Sequence, residues 1–151
     1  MKTEYVVGFM FKPDRSAVVL IEKNRPAWQA GKLNGVGGKI EPGEWTVDAM
    51  VREFKEETGC ETLTKDWEYF LTLEGGDWRV YCYRAFRDAQ LRWVTDECPF
   101  WTFLDELREH PHIPNLAWLI PMALDSDRIC GAVTYMDEKF IETAKEIVPK
   151  L

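Results

Sequence analysis

Five of the chain's ten glycines, Gly31, Gly35, Gly37, Gly38 and Gly43, crowd into one short run, and this restricts the fold more than any other feature. Glycine accepts backbone conformations and close approaches that a Cβ forbids, so the run reads as an irregular loop. A helix follows at once, with Thr46 as its predicted N-cap and Gly59 as its predicted stop. Inside it Val47, Met50, Val51 and Phe54 recur at i, i+3, i+4 and i+7, which turns one apolar stripe toward a core.

Three carboxylates share that helix. Glu53, Glu56 and Glu57 fall on a face about 115° from the apolar stripe at the helical repeat. Like charges at i+3 and i+4 repel by about 0.2 to 0.5 kcal/mol per pair, so the arrangement gains nothing for an isolated helix. Most such faces are simply solvated. Here the adjacent glycine loop supplies a backbone carbonyl, and carboxylates plus a carbonyl form the oxygen-only donor set that suits magnesium or manganese.

Strand patterns surround this junction. Tyr5–Phe11 alternates Tyr5, Val7 and Phe9 against Val6 and Met10, a strand buried on both faces, and Ala17–Ile21 is its predicted hairpin partner beyond Pro13-Asp14. Trp67–Leu73 and Trp78–Ala85 flank Glu74-Gly75-Gly76-Asp77 as a second hairpin. Phe100–Phe103 and Cys130–Met136 read as further strands, Leu104–Glu109 as a short helical turn, Leu116–Leu124 as a helix interrupted by Pro121, and Glu138–Ile147 as a terminal helix. Strands and helices do not alternate strictly, so the expected class is α+β, with a mixed sheet between helices.

The chain's 151 residues suit a single domain over 1–151. A formal net charge of -7 argues against duplex nucleic acid, whose binding needs a basic surface. A small anionic substrate stays compatible if a bound cation reverses the local sign. Cys60, Cys82, Cys98 and Cys130 form no Cys-x-x-Cys pair, and His110 and His112 complete no zinc spacing, so reduced cysteines are expected. With no leader-like or membrane-length apolar run, no membrane partner and a cytoplasmic location are expected.

Read in full, GGKIEPGEWTVDAMVREFKEETGC resembles the Nudix box, G-x5-E-x7-R-E-U-x-E-E-x-G-U, where U is a bulky apolar residue. The match runs through Gly38, Glu44, Arg52, Glu53, Phe54, Glu56, Glu57 and Gly59, and Cys60 fills the last and loosest position. The resemblance implies a Nudix-type α/β/α sandwich and a hydrolase of phosphoric anhydride bonds that uses Mg2+, with Mn2+ as a substitute. It further implies that Glu53, Glu56, Glu57 and the Gly38 carbonyl hold the metal, that Arg52 orients Glu53, and that Glu44 braces the loop against the helix. Glu53 or Glu57 would accept the proton of the attacking water.

Two more segments resemble the nucleotide-sanitising, MutT-like branch of that family. In AGKLNGVGGKIE, Asn34 stands where the branch reads the base; in TDECPFWTFLDEL, Glu97 stands for a further metal-site acid, with Asp96 as the alternative. Trp28 is expected either to stack on a base or to pack in the core. Lys39 is assigned to the phosphates and Trp118 to the core. Asn115 is assigned to the substrate. With Leu116 it replaces acidic base-reading residues of one type that acts on 8-oxo-guanine.

The reading is a pyrophosphohydrolase that converts nucleoside triphosphates, including oxidised or modified ones, to the monophosphate and pyrophosphate, as a monomer or homodimer. The alternative is hydrolysis of ADP-ribose, a nucleotide sugar or another diphosphate derivative. Against it, the proline and tyrosine that mark ADP-ribose and dinucleoside polyphosphate hydrolases after the box are replaced by Gly76 and Trp78. A non-catalytic binding protein on the same fold would be expected to lose box carboxylates, and none is lost.

Overall fold

The computed structural model describes residues 1–136. Eight strands join in one mixed sheet: β1 (Thr3–Phe11), β2 (Ala17–Glu22), β3 (Leu33–Asn34), β4 (Val36–Lys39), β5 (Glu68–Glu74), β6 (Trp78–Phe86), β7 (Pro99–Phe103) and β8 (Gly131–Thr134). Helices α1 (Thr46–Thr58) and α2 (Leu116–Leu124) are accompanied by 3-10 turns at Thr64–Asp66 and Leu107–Glu109. The predicted terminal helix, Glu138–Ile147, lies outside the described residues.

β1 is the central strand. It pairs with β6 in parallel along its whole length, from Thr3 opposite Trp78 to Phe11 opposite Phe86. Its other edge is shared. The first half takes β4 antiparallel, Tyr5 opposite Lys39 to Gly8 opposite Val36, while the end meets β2 at Phe11 and Val18. β2 runs on with β3 along one edge and β7 along the other. The segment 33–39 therefore starts beside β2 and finishes beside β1, changing partners at Gly35.

This corrects the expectation of an irregular loop from Gly31 to Gly43 over residues 33–39, while Gly31 and Gly43 on either side take the left-handed backbone (φ 77°) expected of loop glycines. Within β4, Gly37 serves a close strand contact, because a Cβ there would lie 1.9 Å from the Val6 carbonyl oxygen. The hairpin of β1 and β2 is also narrower than expected, since β4 occupies the edge that β2 leaves.

Strand alternation sends side chains to two separate cores. Phe9, Phe11, Val18, Leu20 and Cys82 face α2, meeting Leu116, Leu119, Ile120 and Ala123. Val6, Met10, Val19, Ile21 and Tyr83 face α1, meeting Ala49, Met50 and Phe54. A register irregularity between Tyr69 and Leu71 lets Phe70 and Leu71 both enter the α2 core.

Helix α1 lies close against the sheet because Gly8 has no side chain; a Cβ there would stand 2.6 Å from the Met50 sulfur. Its N-cap is Trp45 rather than Thr46, which occupies the first turn and turns its hydroxyl to Tyr83. Gly59 closes the helix with φ 70°, a left-handed conformation that glycine adopts without strain, and its N–H bonds to the Lys55 carbonyl. The apolar stripe is as expected at Met50 and Phe54, with Val47 and Val51 at its margin. Buried Arg84 on β6 holds the end of α2, donating to the Ala123 and Asp125 carbonyls while pairing with Glu68.

All four cysteines are free. Among the described residues no helix is long and apolar enough to cross a membrane.

Candidate active site

The glycine at the start of the motif acts as a seat for a carboxylate. A Cβ on Gly38 would sit 2.4 Å from the Glu53 carboxylate, so Glu53 lies directly on the Gly38 backbone of β4. That position is 92 % covered: Glu53 is only 8% exposed, unlike a solvated acidic face. Burial raises its pKa above the usual carboxylate range, against the pull of Arg52.

Arg52 organises the junction. Nε and Nη2 donate to Glu44 at 2.8 and 2.9 Å, Nη1 donates to Glu53 at 3.0 Å and to Glu56 at 3.2 Å, and Nη2 reaches the Lys39 carbonyl at 3.0 Å. One guanidinium thereby joins loop, strand and helix. The Arg52 fork holds the Glu44 carboxyl below the usual range, and Glu44 also accepts the Glu41 N–H.

Glu57 lies apart from this network. Its Oε2 accepts the Thr95 hydroxyl at 3.1 Å, and half-burial raises its pKa, reinforced by the charge of nearby Glu97. Glu97 is 3% exposed and accepts from Lys23 Nζ at 2.9 Å and the Asn24 N–H at 2.6 Å. Burial would raise its pKa, yet these partners hold it below the usual value. Asp96 instead faces outward and pairs with Arg25 at 2.5 Å. Of the two candidate acids, Glu97 is the one beside Glu57.

Among the described residues no three acidic, cysteine or histidine side chains already stand at metal-ligand spacing. Glu56 accepts a hydrogen bond from Arg52 and Glu57 one from Thr95. The donor chemistry nevertheless fits a hard divalent cation. Every available atom is oxygen, Glu53 touches the backbone whose carbonyl would join it, and two carboxylates carry raised pKa values that a cation would relieve.

A second corner lies at the other end of segment 33–39. The Asn34 amide nitrogen donates to Gln29 at 3.2 Å and its oxygen accepts the Gly35 N–H at 2.8 Å. The chain carrying Asn115 runs alongside: Leu33 N–H bonds to the Pro111 carbonyl and Ile113 N–H to the Leu33 carbonyl. Asn115 stands at the N-cap position of α2 without a side-chain cap bond, and its side-chain oxygen is buried with no hydrogen-bond partner among the described residues. Trp28, in the loop ahead of Asn34, is 59% exposed and is no core residue. Trp118 packs partly buried against the α2 core. Lys39 is exposed, and its ammonium pairs with no described residue.

Lys23, Asn24, Gln29 and Thr95 carry no sequence signal comparable to the box. Only Thr95, inside the same segment as Glu97, could have been found by asking what flanks a candidate acid. A shallow depression of about 370 Å³ lined by Val51, Lys55, Glu61, Thr62 and Leu63 includes none of these site residues.

The family model described as the NUDIX domain matches residues 1–121. The chain belongs to the Nudix family. Its sheet and flanking helices are the Nudix α/β/α sandwich. A mouse (Mus musculus) protein named oxidized purine nucleoside triphosphate hydrolase is 28% identical over 144 residues, covering 91% of this chain and 89% of its own.

Among solved structures, the mutator MutT protein of Bacillus halodurans superposes with a TM-score of 0.72 at 21% identity, covering 91% of this chain and 92% of its own. A MutT from work on Aliivibrio salmonicida and Vibrio cholerae gives 0.70 at 22% identity, covering 82% and 98%. The Nudix domain of Shewanella oneidensis NrtR, solved with ADP ribose, gives 0.70 at 18% identity, covering 82% and 86%. These likenesses establish the fold. The family acts on phosphoric anhydride bonds and generally uses divalent metal ions.

Proposed function

We propose that this Nudix protein is a Mg2+-dependent pyrophosphohydrolase that converts nucleoside triphosphates, oxidised purine nucleotides among them, to the monophosphate and pyrophosphate. The observation that carries the reading is segment 33–39, which holds the Asn34 amide at one end and the Gly38 seat for Glu53 at the other. The mouse relative's name supports the substrate class.

Glu53, Glu56, Glu57 and the Gly38 carbonyl would hold the cation, with Glu97 as a further acid. A divalent cation at that position supplies neutralisation of phosphate charge and a lower pKa for the attacking water. Arg52 keeps Glu53 in place without taking part in the reaction, and Glu44 fixes Arg52 in turn. Glu57 is the better proton acceptor of the two candidates, because Glu53 already shares the Arg52 guanidinium. The water oxygen bonds to phosphorus, the anhydride bond breaks, pyrophosphate leaves, and the water's proton passes to the carboxylate.

Lys39 would meet the phosphates as an unpaired ammonium beside the box. Asn34 and Asn115 would read the base edge, and exposed Trp28 would stack on its face, a contact of about 1 to 3 kcal/mol per base.

The test is a panel of ordinary and oxidised nucleoside triphosphates, ADP-ribose and nucleotide sugars, with Mg2+ or with EDTA, and products separated by ion-exchange chromatography. Monophosphate and pyrophosphate in equal amounts are expected from triphosphates with Mg2+ alone. Orthophosphate as the only inorganic product, or turnover of ADP-ribose but no triphosphate, would overturn the proposal.

A further inference from the structure

We infer that Thr95 is a positioning residue that aims the Glu57 carboxylate at the cation, acting as a neutral hinge between Glu57 and the segment that carries Glu97. The inference rests on Glu57 being a metal-site carboxylate. Among the described residues, Thr95 is the one hydrogen-bond partner of the Glu57 side chain, whereas Glu53 and Glu56 are both held by Arg52.

The Thr95 hydroxyl is itself fixed. It accepts the Glu97 N–H at 3.1 Å, which orients its lone pair and leaves a single proton to donate. Two acceptors lie within reach, Glu57 Oε2 at 3.1 Å and the Glu97 carbonyl at 3.2 Å. The charged carboxylate is the stronger acceptor, so the proton goes to Glu57.

A neutral donor suits this position. Arg52 already supplies the cationic partner for Glu53 and Glu56, so a second guanidinium or ammonium here would lower the net negative charge of the site further. A hydroxyl orients the carboxylate and leaves its full charge available. Lys23 forms its ion pair with Glu97 and not with Glu57, on which its charge acts only from a distance. Loop 92–98 also lies over the end of α1: the Arg92 N–H donates to the Thr58 carbonyl at 2.7 Å. Thr95 is thus carried on a segment already tied to the helix that bears Glu57.

The experiment compares Thr95→Val, which keeps the shape and removes the hydroxyl, with Thr95→Ser, which keeps it. Binding of Mn2+ to the nucleotide-free protein is followed by the electron paramagnetic resonance signal of the free ion, and kcat and KM are measured separately. Thr95→Val should weaken Mn2+ binding at least about tenfold and lower kcat, with KM within about twofold of the parent. Thr95→Ser should restore both. Thr95→Ala serves in place of the valine variant if the latter melts early.

Mn2+ affinity unchanged in the hydroxyl-free variant would overturn the inference, as would a raised KM with unchanged Mn2+ affinity, which marks a role in loop structure alone. Failure of the parent protein to bind Mn2+ would remove the reading of the site and this inference with it.

Discussion

Arg52 and Glu44 meet through two parallel hydrogen bonds, 2.8 Å from Nε and 2.9 Å from Nη2, across the loop that separates β4 from α1. A fork of this kind needs a planar guanidinium, so lysine is no substitute. Arg52→Lys is expected to cost about 1 to 3 kcal/mol in urea denaturation and to lower kcat/KM at least about tenfold. Equal stability and activity would mean that charge alone suffices at this position.

Gly37 and Gly38 are adjacent yet should fail differently. On Gly37 a Cβ meets the Val6 carbonyl at 1.9 Å, a backbone atom that cannot retreat. Gly37→Ala should therefore destabilise the sheet by about 1 to 3 kcal/mol or more. On Gly38 the obstacle is the end of a flexible glutamate. Gly38→Ala should fold, displace Glu53 and reduce turnover about 100-fold; circular dichroism together with steady-state rates separates the two outcomes.

Glu57 carries a pKa raised by half-burial and by the charge of Glu97. The sign follows from linkage: an acid whose pKa is higher in the folded state favours folding below the ordinary value of 4.5, and this support fades as pH rises through the folded pKa. At pH 7 without metal the ionised group is a burden, less than about 1 kcal/mol after screening by solvent. Glu57→Gln should then melt up to about 2 to 4 °C higher in EDTA, a gain that closes toward acidic pH. The same variant should lose the Mn2+-induced rise in melting temperature and about 100-fold in activity.

Asn115 buries a side-chain oxygen with no partner among the described residues, a defect worth about 1 to 3 kcal/mol. Asn115→Leu should leave thermal stability equal or higher while raising KM for purine nucleoside triphosphates about tenfold. A lower melting temperature with unchanged KM would assign the amide to scaffolding.

The box residues and most strands were legible in the sequence because their signals are local. Helix α1 is written in a 3.6-residue repeat with a glycine stop, and β1, β5 and β6 in apolar alternation between turn residues. β3 and β4 are not legible because the glycines in and around them look like a loop, while the contacts that demand Gly35, Gly37 and Gly38, with β1 and with Glu53, are remote in sequence. The cap of α1 was misplaced by one residue for a similar reason: the Thr46 hydroxyl is spent on Tyr83, a tertiary partner invisible locally. Glu53, Glu56 and Glu57 could be grouped by helical angle. Their division between Arg52 and Thr95 could not, since it depends on where loop 92–98 crosses the helix.

The partner change at Gly35 makes the run from Asn34 to Gly38 a ruler. Four extended residues at ~3.3 Å each set roughly 13 Å between the amide end and the glycine seat. The length is anchored by β2 at one end and β1 at the other, so it cannot stretch to suit a longer substrate. One inserted residue would also turn every later side chain to the opposite face and withdraw the seat from Glu53. On the proposed placement of the substrate, new substrate lengths would come from the loops that carry Trp28 and Thr95, while this measured span stays the same.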